Sequence, residues 1–202
     1  KTSINNGEIG NPHIVKITSR DPSPPPVEYI KNSGGLFLDM TIHDFDMARF
    51  IVDKEIDEIY VKGEALIDQE IQKVGDIDTA VVLMKYVDST IAVIDNSRKS
   101  AYGYDQRIEV FGSKGMIQAN NVKVDNSKLY NQNGIISSLP MDFFLERYME
   151  AYKIEIQDFV DSVINDRIVS VTGIDGLKSL QIGLAAKKSL LENRAVKINE
   201  IK

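Results

Sequence analysis

The sequence predicts an α+β fold: an open, mainly antiparallel or mixed β-sheet with helices packed on one face and the other face used for oligomerisation. Two observations carry this expectation. Strand-like segments crowd the middle of the chain, while helical periodicity is confined to residues 34–53 and to the stretch after Pro140. Several middle segments are also apolar on both sides. In 79–86, Thr79, Val81 and Leu83 point one way and Ala80, Val82, Met84 and Tyr86 the other. Helices can cover one such face, and the second then calls for another subunit or domain.

The elements follow in order. "HIVKITS" (13–19) alternates as a strand does. "RDPSPPPVEYIKNSGG" follows, and its four prolines and paired glycines predict a long irregular loop. A helix opens at Ser33 or Gly34 and runs over about 35–53. Residues 56–66, 77–87, 90–99, 105–112 and 116–124 read as strands, rich in Val, Ile, Thr and Tyr and parted by turns such as "VDST" and "GSKG". "SKLYN" adds one more. Beyond Pro140, Tyr152, Ile156, Phe159, Val160, Val163 and Ile164 recur on one helix face. "TGID" (172–175) opens the last helix as a capping box, with Thr172 as cap and Asp175 at the positive end of the dipole. That helix runs to about Glu192, and "AVKI" closes with a short strand.

Composition narrows the function. The 202 residues suffice for a packed core, and the net charge of −6 comes without a dense basic cluster, which argues against nucleic acid. There is no cysteine, hence no disulfide framework and no thiolate metal site, as suits a cytoplasmic protein. No apolar run reaches the ~20 residues of a membrane span. The opening "KTSINNGEIGNPHIVKI" lacks an initiator methionine and reads as a helix tail entering a strand, so a preceding segment is expected.

The chemistry concentrates in "GGLFLDMTIHDFDMARF" (34–50). On a continuous helix Asp39, His43 and Asp46 fall within about 60° of one another, a narrow polar stripe on a helix otherwise apolar nearly all round. Such a helix is expected to be buried, so the stripe either lines a cleft or satisfies itself inside the core. In the first case Asp39, four residues before His43, orients the imidazole and raises its proton affinity, suiting it to take a proton from a hydroxyl. In the second the pair is a core contact and nothing more. A metal site is the third option, and the chain offers no further ligand cluster nearby to complete one.

These residues resemble the substrate-site helix of the Gfo/Idh/MocA oxidoreductase family (glucose–fructose oxidoreductase, inositol dehydrogenase, rhizopine catabolism). The family pattern is a glycine-rich turn, Asp, three residues, His, and an acid three residues on; "DMTIHDFD" is worded most like the inositol 2-dehydrogenase branch. The resemblance extends along the whole chain. "GEIGNPHIVKITSRDP", "SAYGYDQRIEVFGSKGMI", "RYMEAYKIEIQDFVDSV" and "VTGIDGLKSLQIGLAAKKSL" resemble family segments in the family's order. It implies that residues 1–202 form the C-terminal catalytic and oligomerisation domain, and that an N-terminal Rossmann domain binding NAD lies outside this chain. No G-x-G-x-x-G precedes a helix here, and the family's Glu-Lys-Pro lysine is missing too. NADP is not excluded, since the residue that reads the ribose belongs to the nucleotide domain.

Further roles are implied by the resemblance, position by position. His43 is the acid/base, and Asp39 binds a substrate hydroxyl and tunes the ring. Asp21 matches a substrate-contacting residue, and Tyr102 and Tyr104 match the Tyr-Gly-Tyr segment at the pocket. Tyr152 matches a helix tyrosine near the cofactor, while Arg20 and Asp46 support the site. Ser19 stands where some relatives carry His, and Phe143 where some carry Trp. The implied activity is oxidation of a ring hydroxyl of myo-inositol to the 2-keto-inositol with hydride transfer to NAD, the fragment alone being inactive. Alternatives are a family enzyme acting on scyllo-inositol, an aldose or an amino sugar, and a non-enzymatic sugar-binding or dimerisation domain. The expected partners are a polyol or sugar and further copies of the chain, as a dimer or tetramer through the sheet face, with no nucleic acid and no membrane.

Overall fold

Alternating side chains in the middle of the chain do build one sheet, and its strand order shows how the ends are used. The computed structural model describes residues 1–202. In chain order the elements are α1 (Thr2–Asn5), β1 (Pro12–Arg20), α2 (Val27–Ser33), α3 (Leu36–Asp39), α4 (Thr41–Val52), β2 (Ile56–Glu64) and α5 (Gln69–Lys73). Then follow β3 (Thr79–Tyr86), β4 (Ile91–Ser97), β5 (Asp105–Gly112), β6 (Met116–Ala119), β7 (Lys128–Asn131) and β8 (Gly134–Ser137). The chain closes with α6 (Phe144–Ile164), α7 (Gly173–Glu192) and β9 (Val196–Lys197). Seven strands run in the order β6-β5-β1-β4-β3-β2-β9, and β7 and β8 form a separate hairpin. Every neighbouring pair in the large sheet is antiparallel except β1 with β4. The sheet is therefore mixed, as the sequence predicts.

One face carries the core. Val15 and Ile17 of β1, Val82 and Met84 of β3, and Ala92 and Ile94 of β4 meet Leu36, Phe37, Phe45 and Ala48 below α3 and α4 and Ile182, Ala185 and Ala186 of α7. At Gly183 α7 packs tightly against α3, because a Cβ there would lie 2.6 Å from a Leu38 methyl carbon. The opposite face stays open: Ile14, Val81 (51% accessible), Leu83, Ile91, Phe111 and Met116 are all exposed.

The structure corrects several expectations. The helix placed at 35–53 is two helices, α3 and α4, parted at Met40 (φ −108°, ψ −61°). The proline-rich segment is not wholly irregular, since α2 occupies Val27–Ser33. Its prolines all lie before the helix, with Pro26 at the N-cap, so none interrupts the backbone ladder. The Gly34–Gly35 pair then turns the chain. Gly34 caps α2 at φ +92°, and Gly35 sits at φ +85°, ψ 177°, a conformation essentially restricted to glycine. There the Leu36 amide donates to the Asp76 carboxylate at 3.1 Å. The strand read over 116–124 stops at Ala119, α5 was not anticipated, and "SKLYN" gains a partner strand in β8. The expected capping box at Thr172 is present, with Asp175 accepting from the Thr172 amide at 2.8 Å.

Candidate functional site

Both ends of α4 are fastened to the sheet, which fixes what its first turns can present. At its start Thr41 Oγ1 donates to Asn96 Oδ1 (2.9 Å), and Asn96 Nδ2 donates to Asp44 Oδ2 (2.8 Å). Near its end the buried Tyr86 hydroxyl donates to the Ala48 carbonyl at 2.8 Å. Asn96 is on β4 beside Ser19 of β1, so the site lies over the end of the sheet's single parallel pair. Between the two fastenings, His43 reaches the surface with no hydrogen-bond partner, and Met47 and Phe50 (54% accessible) are exposed on the same helix.

This overturns the expected burial of the helix and of its stripe. The sheet and α7 cover one side of α4 and leave His43, Met47 and Phe50 outside. The three residues of the stripe also go to different partners. Asp39, on the far side of the Met40 break, accepts from the Tyr29 hydroxyl (2.7 Å) and from Arg98 Nη2 (2.9 Å), and so does not hold the His43 ring. Asp46 accepts from Ser179 Oγ on α7 at 3.2 Å, a helix–helix contact. The buried acid of α4 is instead Asp44, which is next to the histidine in sequence.

Around Asp39 the charges are crowded. The Arg98 side chain follows the end of β4, only 1% accessible, and its amide donates to the Asp78 carbonyl (2.8 Å). Its Nε has no hydrogen-bond partner. Asp21 is held at the end of β1 by its amide, which donates to the Ser97 carbonyl at 2.9 Å. Burial pushes the Asp21 carboxyl up to about 6; the Arg98 charge opposes the rise and the Asp39 charge adds to it. Burial likewise lifts the Asp44 carboxyl to about 7, against the hydrogen bonds from Asn96 and Ser19 and with the charges of Asp21 and Asp95 adding. Tyr104, whose phenol burial raises, meets Tyr148 of α6 edge-on with ring centroids 6.0 Å apart and feels the charges of Asp21 and Asp44.

Asp21, Asp39, His43 and Tyr104 thus belong to one side of the sheet, and the structure draws in Tyr29, Asp44, Asn96 and Arg98, none of which the sequence had singled out. Tyr102 goes elsewhere. Its hydroxyl accepts from Arg20 Nη1 (3.0 Å) and donates to Asp105 Oδ2 (2.6 Å) on the open face, so the structure does not bring it together with Tyr104. Arg20 is drawn to that face too, bound to Asp95 Oδ1 at 2.8 Å. Glycine at 103 (φ +108°) accommodates the turn between the two tyrosines. Tyr152 is exposed on α6, one turn beyond Tyr148. Signals for the missed residues were present but weak: Asp44 adjoins His43, and Arg98 is two residues past the buried Asn96, just beyond the end of β4.

Comparison with known proteins assigns the lineage. The profile of the GFO/IDH/MocA C-terminal domain matches residues 1–118. The chain belongs to this family. A myo-inositol 2-dehydrogenase from Thermotoga maritima is 52% identical over 201 residues, covering all of this chain and 60% of the relative. The crystal structure of a probable dehydrogenase from Thermotoga maritima superposes with a TM-score of 0.98 at 51% identity, covering all of this chain and 60% of that one. A scyllo-inositol dehydrogenase from Lactobacillus casei, solved with NAD(H) and scyllo-inositol, gives 0.89 at 33% identity, covering 98% of this chain and 60% of that one. The chain therefore spans about 60% of the length of the relatives it matches.

Proposed function

We propose that this chain is the substrate-binding, C-terminal domain of an NAD-dependent inositol 2-dehydrogenase, working with a Rossmann domain that the relatives' greater length leaves room for. The observation that carries the reading is a surface histidine without a hydrogen-bond partner, close in sequence to a carboxylate whose two oxygens are separately anchored. His43 can take the proton of a ring hydroxyl as that carbon is oxidised, which requires heavy-atom approach within about 3 Å. Asp39, fixed by Tyr29 and Arg98, accepts from a neighbouring hydroxyl. Asp21, with a carboxyl near neutrality, can either donate to or accept from another. Polyols need several such groups, since each buried hydroxyl left unpaired costs about 1–3 kcal/mol.

The residues present fit one side of a nicotinamide and not the rest of the dinucleotide. Met47 and Phe50 offer exposed apolar surface on the helix that carries His43, and Tyr152, also exposed, would face the cofactor from α6. The crossing from β1 to the helices runs through Pro22, Pro24, Pro25 and Pro26, so the chain supplies no glycine-rich phosphate cradle there. When bound, NAD accepts the hydride; the chain's own share is binding, orientation and the proton. The exposed apolar side chains of the open sheet face support assembly into dimers or tetramers through that face.

The test is to incubate the intact oxidoreductase with NAD and follow reduction at the nicotinamide absorbance as myo-inositol, scyllo-inositol, aldoses and amino sugars are supplied in turn. The reading expects myo-inositol to give the highest kcat/KM. A preference for scyllo-inositol or a sugar moves the substrate within the family, and no polyol-dependent reduction at all rejects the dehydrogenase reading.

A further inference from the structure

Arg98 is an arginine sealed from solvent, 1% accessible. It uses one nitrogen on Asp39, leaves Nε unpaired, and has the Asp21 carboxyl within reach of its field. Burying a guanidinium is expensive unless it is paired, so its retention against an incomplete set of partners marks a task other than stability. Its backbone is anchored at the β3–β4 edge through Asp78, whose carboxylate in turn accepts from the amides of Leu66, Ile67 and Asp68 at 2.9, 2.9 and 3.1 Å. The backbone of Arg98 is therefore held by the sheet, while the carboxylate its guanidinium grips sits on the short helix α3, between the Gly34–Gly35 turn and the Met40 break.

We propose that Arg98 is a positioning residue for the polyol: it clamps Asp39 against the sheet, with Tyr29 on the other oxygen, so that this carboxylate faces a ligand hydroxyl and leaves His43 free to exchange its proton. The inference rests on the proposed function. It separates two duties on neighbouring helices: Asp39 under Arg98 control binds, and His43 on α4 transfers the proton. A carboxylate released from the clamp is free to swing towards His43 or into water, and substrate affinity is lost before chemistry is.

The test compares wild type, Arg98→Gln and Arg98→Lys in the intact enzyme, with Asp39→Asn and the Asp39→Asn/Arg98→Gln double variant to measure coupling. Arg98→Gln is expected to raise KM for the polyol at least tenfold while kcat stays within about threefold of wild type. Arg98→Lys, which keeps the charge but not the planar fork, recovers part of that loss. The double variant is expected to be no worse than Asp39→Asn alone, because both act through one carboxylate. An unchanged KM in Arg98→Gln, a fall in kcat without a rise in KM, or additive losses in the double variant overturns the proposal. If Arg98→Gln does not fold, the KM of Arg98→Lys decides: a value equal to wild type rejects the clamp. Wild-type enzyme that reduces no NAD with any polyol rejects the underlying function instead, which keeps the two failures apart.

Discussion

Two clusters of acids and arginines lie back to back across the same end of the sheet. On the open face Asp105 accepts from Arg107 Nε (2.7 Å) and Nη2 (2.9 Å), from Tyr102 and from Asn121 Nδ2 (2.7 Å), while Arg20 spans Asp95 and Tyr102. On the helix-covered face are Asp21, Asp39, Asp44 and Arg98. The residues interleave along the strands: Ser19 pairs with Asn96 in β4 and Gln106 in β5, and Arg20 with Ser97 and Asp105. Burial by itself would raise the Asp105 carboxyl, yet Arg107, Tyr102 and Asn121 overcome it and hold the group down at about 2. Across the sheet burial wins, leaving Asp21 near 6 and Asp44 near 7, with a guanidinium nitrogen unpaired. The closed network is what structure alone requires. The unfinished one keeps donors and acceptors in reserve, as a binding site does before its ligand arrives.

The contrast can be broken experimentally. The largest effect is expected from His43→Ala on the unfinished side: kcat in the intact enzyme falls by about 10²–10⁴, with the thermal midpoint nearly unchanged because the ring makes no hydrogen bond. Turnover like that of wild type would reduce His43 to a surface residue. Next comes Asp105→Asn on the closed side, which takes the charge from a fully buried carboxylate that accepts from Arg107, Tyr102 and Asn121, and should cost about 2–3 kcal/mol in denaturant unfolding. Its KM for the polyol stays at the wild-type value, and a rise would tie the two networks together.

Asp44→Asn sharpens the comparison through pH. The unfolded carboxyl titrates near 3.8 and the folded one near 7, so between those values the folded state binds more protons and stability declines as pH rises. Asp105 has the opposite sign: its contribution is present above 3.8 and is lost as pH falls towards 2. Asp44→Asn should therefore stabilise the protein by up to about 4 kcal/mol at pH 8 and by less than about 1 kcal/mol at pH 4, read from denaturation midpoints at the two pH values. Equal effects at both would show that Asp44 does not carry a proton into neutrality. The smallest effect belongs to Tyr102→Phe, which removes two hydrogen bonds from the closed network at a cost of about 1 kcal/mol. Its kcat/KM should remain within about twofold, whereas a tenfold loss would return Tyr102 to the substrate side.

What the sequence determined by itself is tied to local rules. Alternation located β1, β-branched and aromatic composition between turn signals located β2 to β5, the 3.6-residue period located α6, and the Thr172–Asp175 capping box marked where α7 begins. The order of motifs along the chain was enough to point to the family, since each motif is a contiguous run of residues. Tertiary structure decided what depends on contacts between distant positions. It broke the helix at Met40 and gave Asp39 to Tyr29 and Arg98, 10 and 59 residues away, in place of His43. It also sent Tyr102 and Tyr104 to opposite faces although a single glycine separates them. A helical wheel assumes one straight axis, and a carboxylate bonds whichever donor the packed sheet brings near, so neither outcome could be read before the sheet had formed.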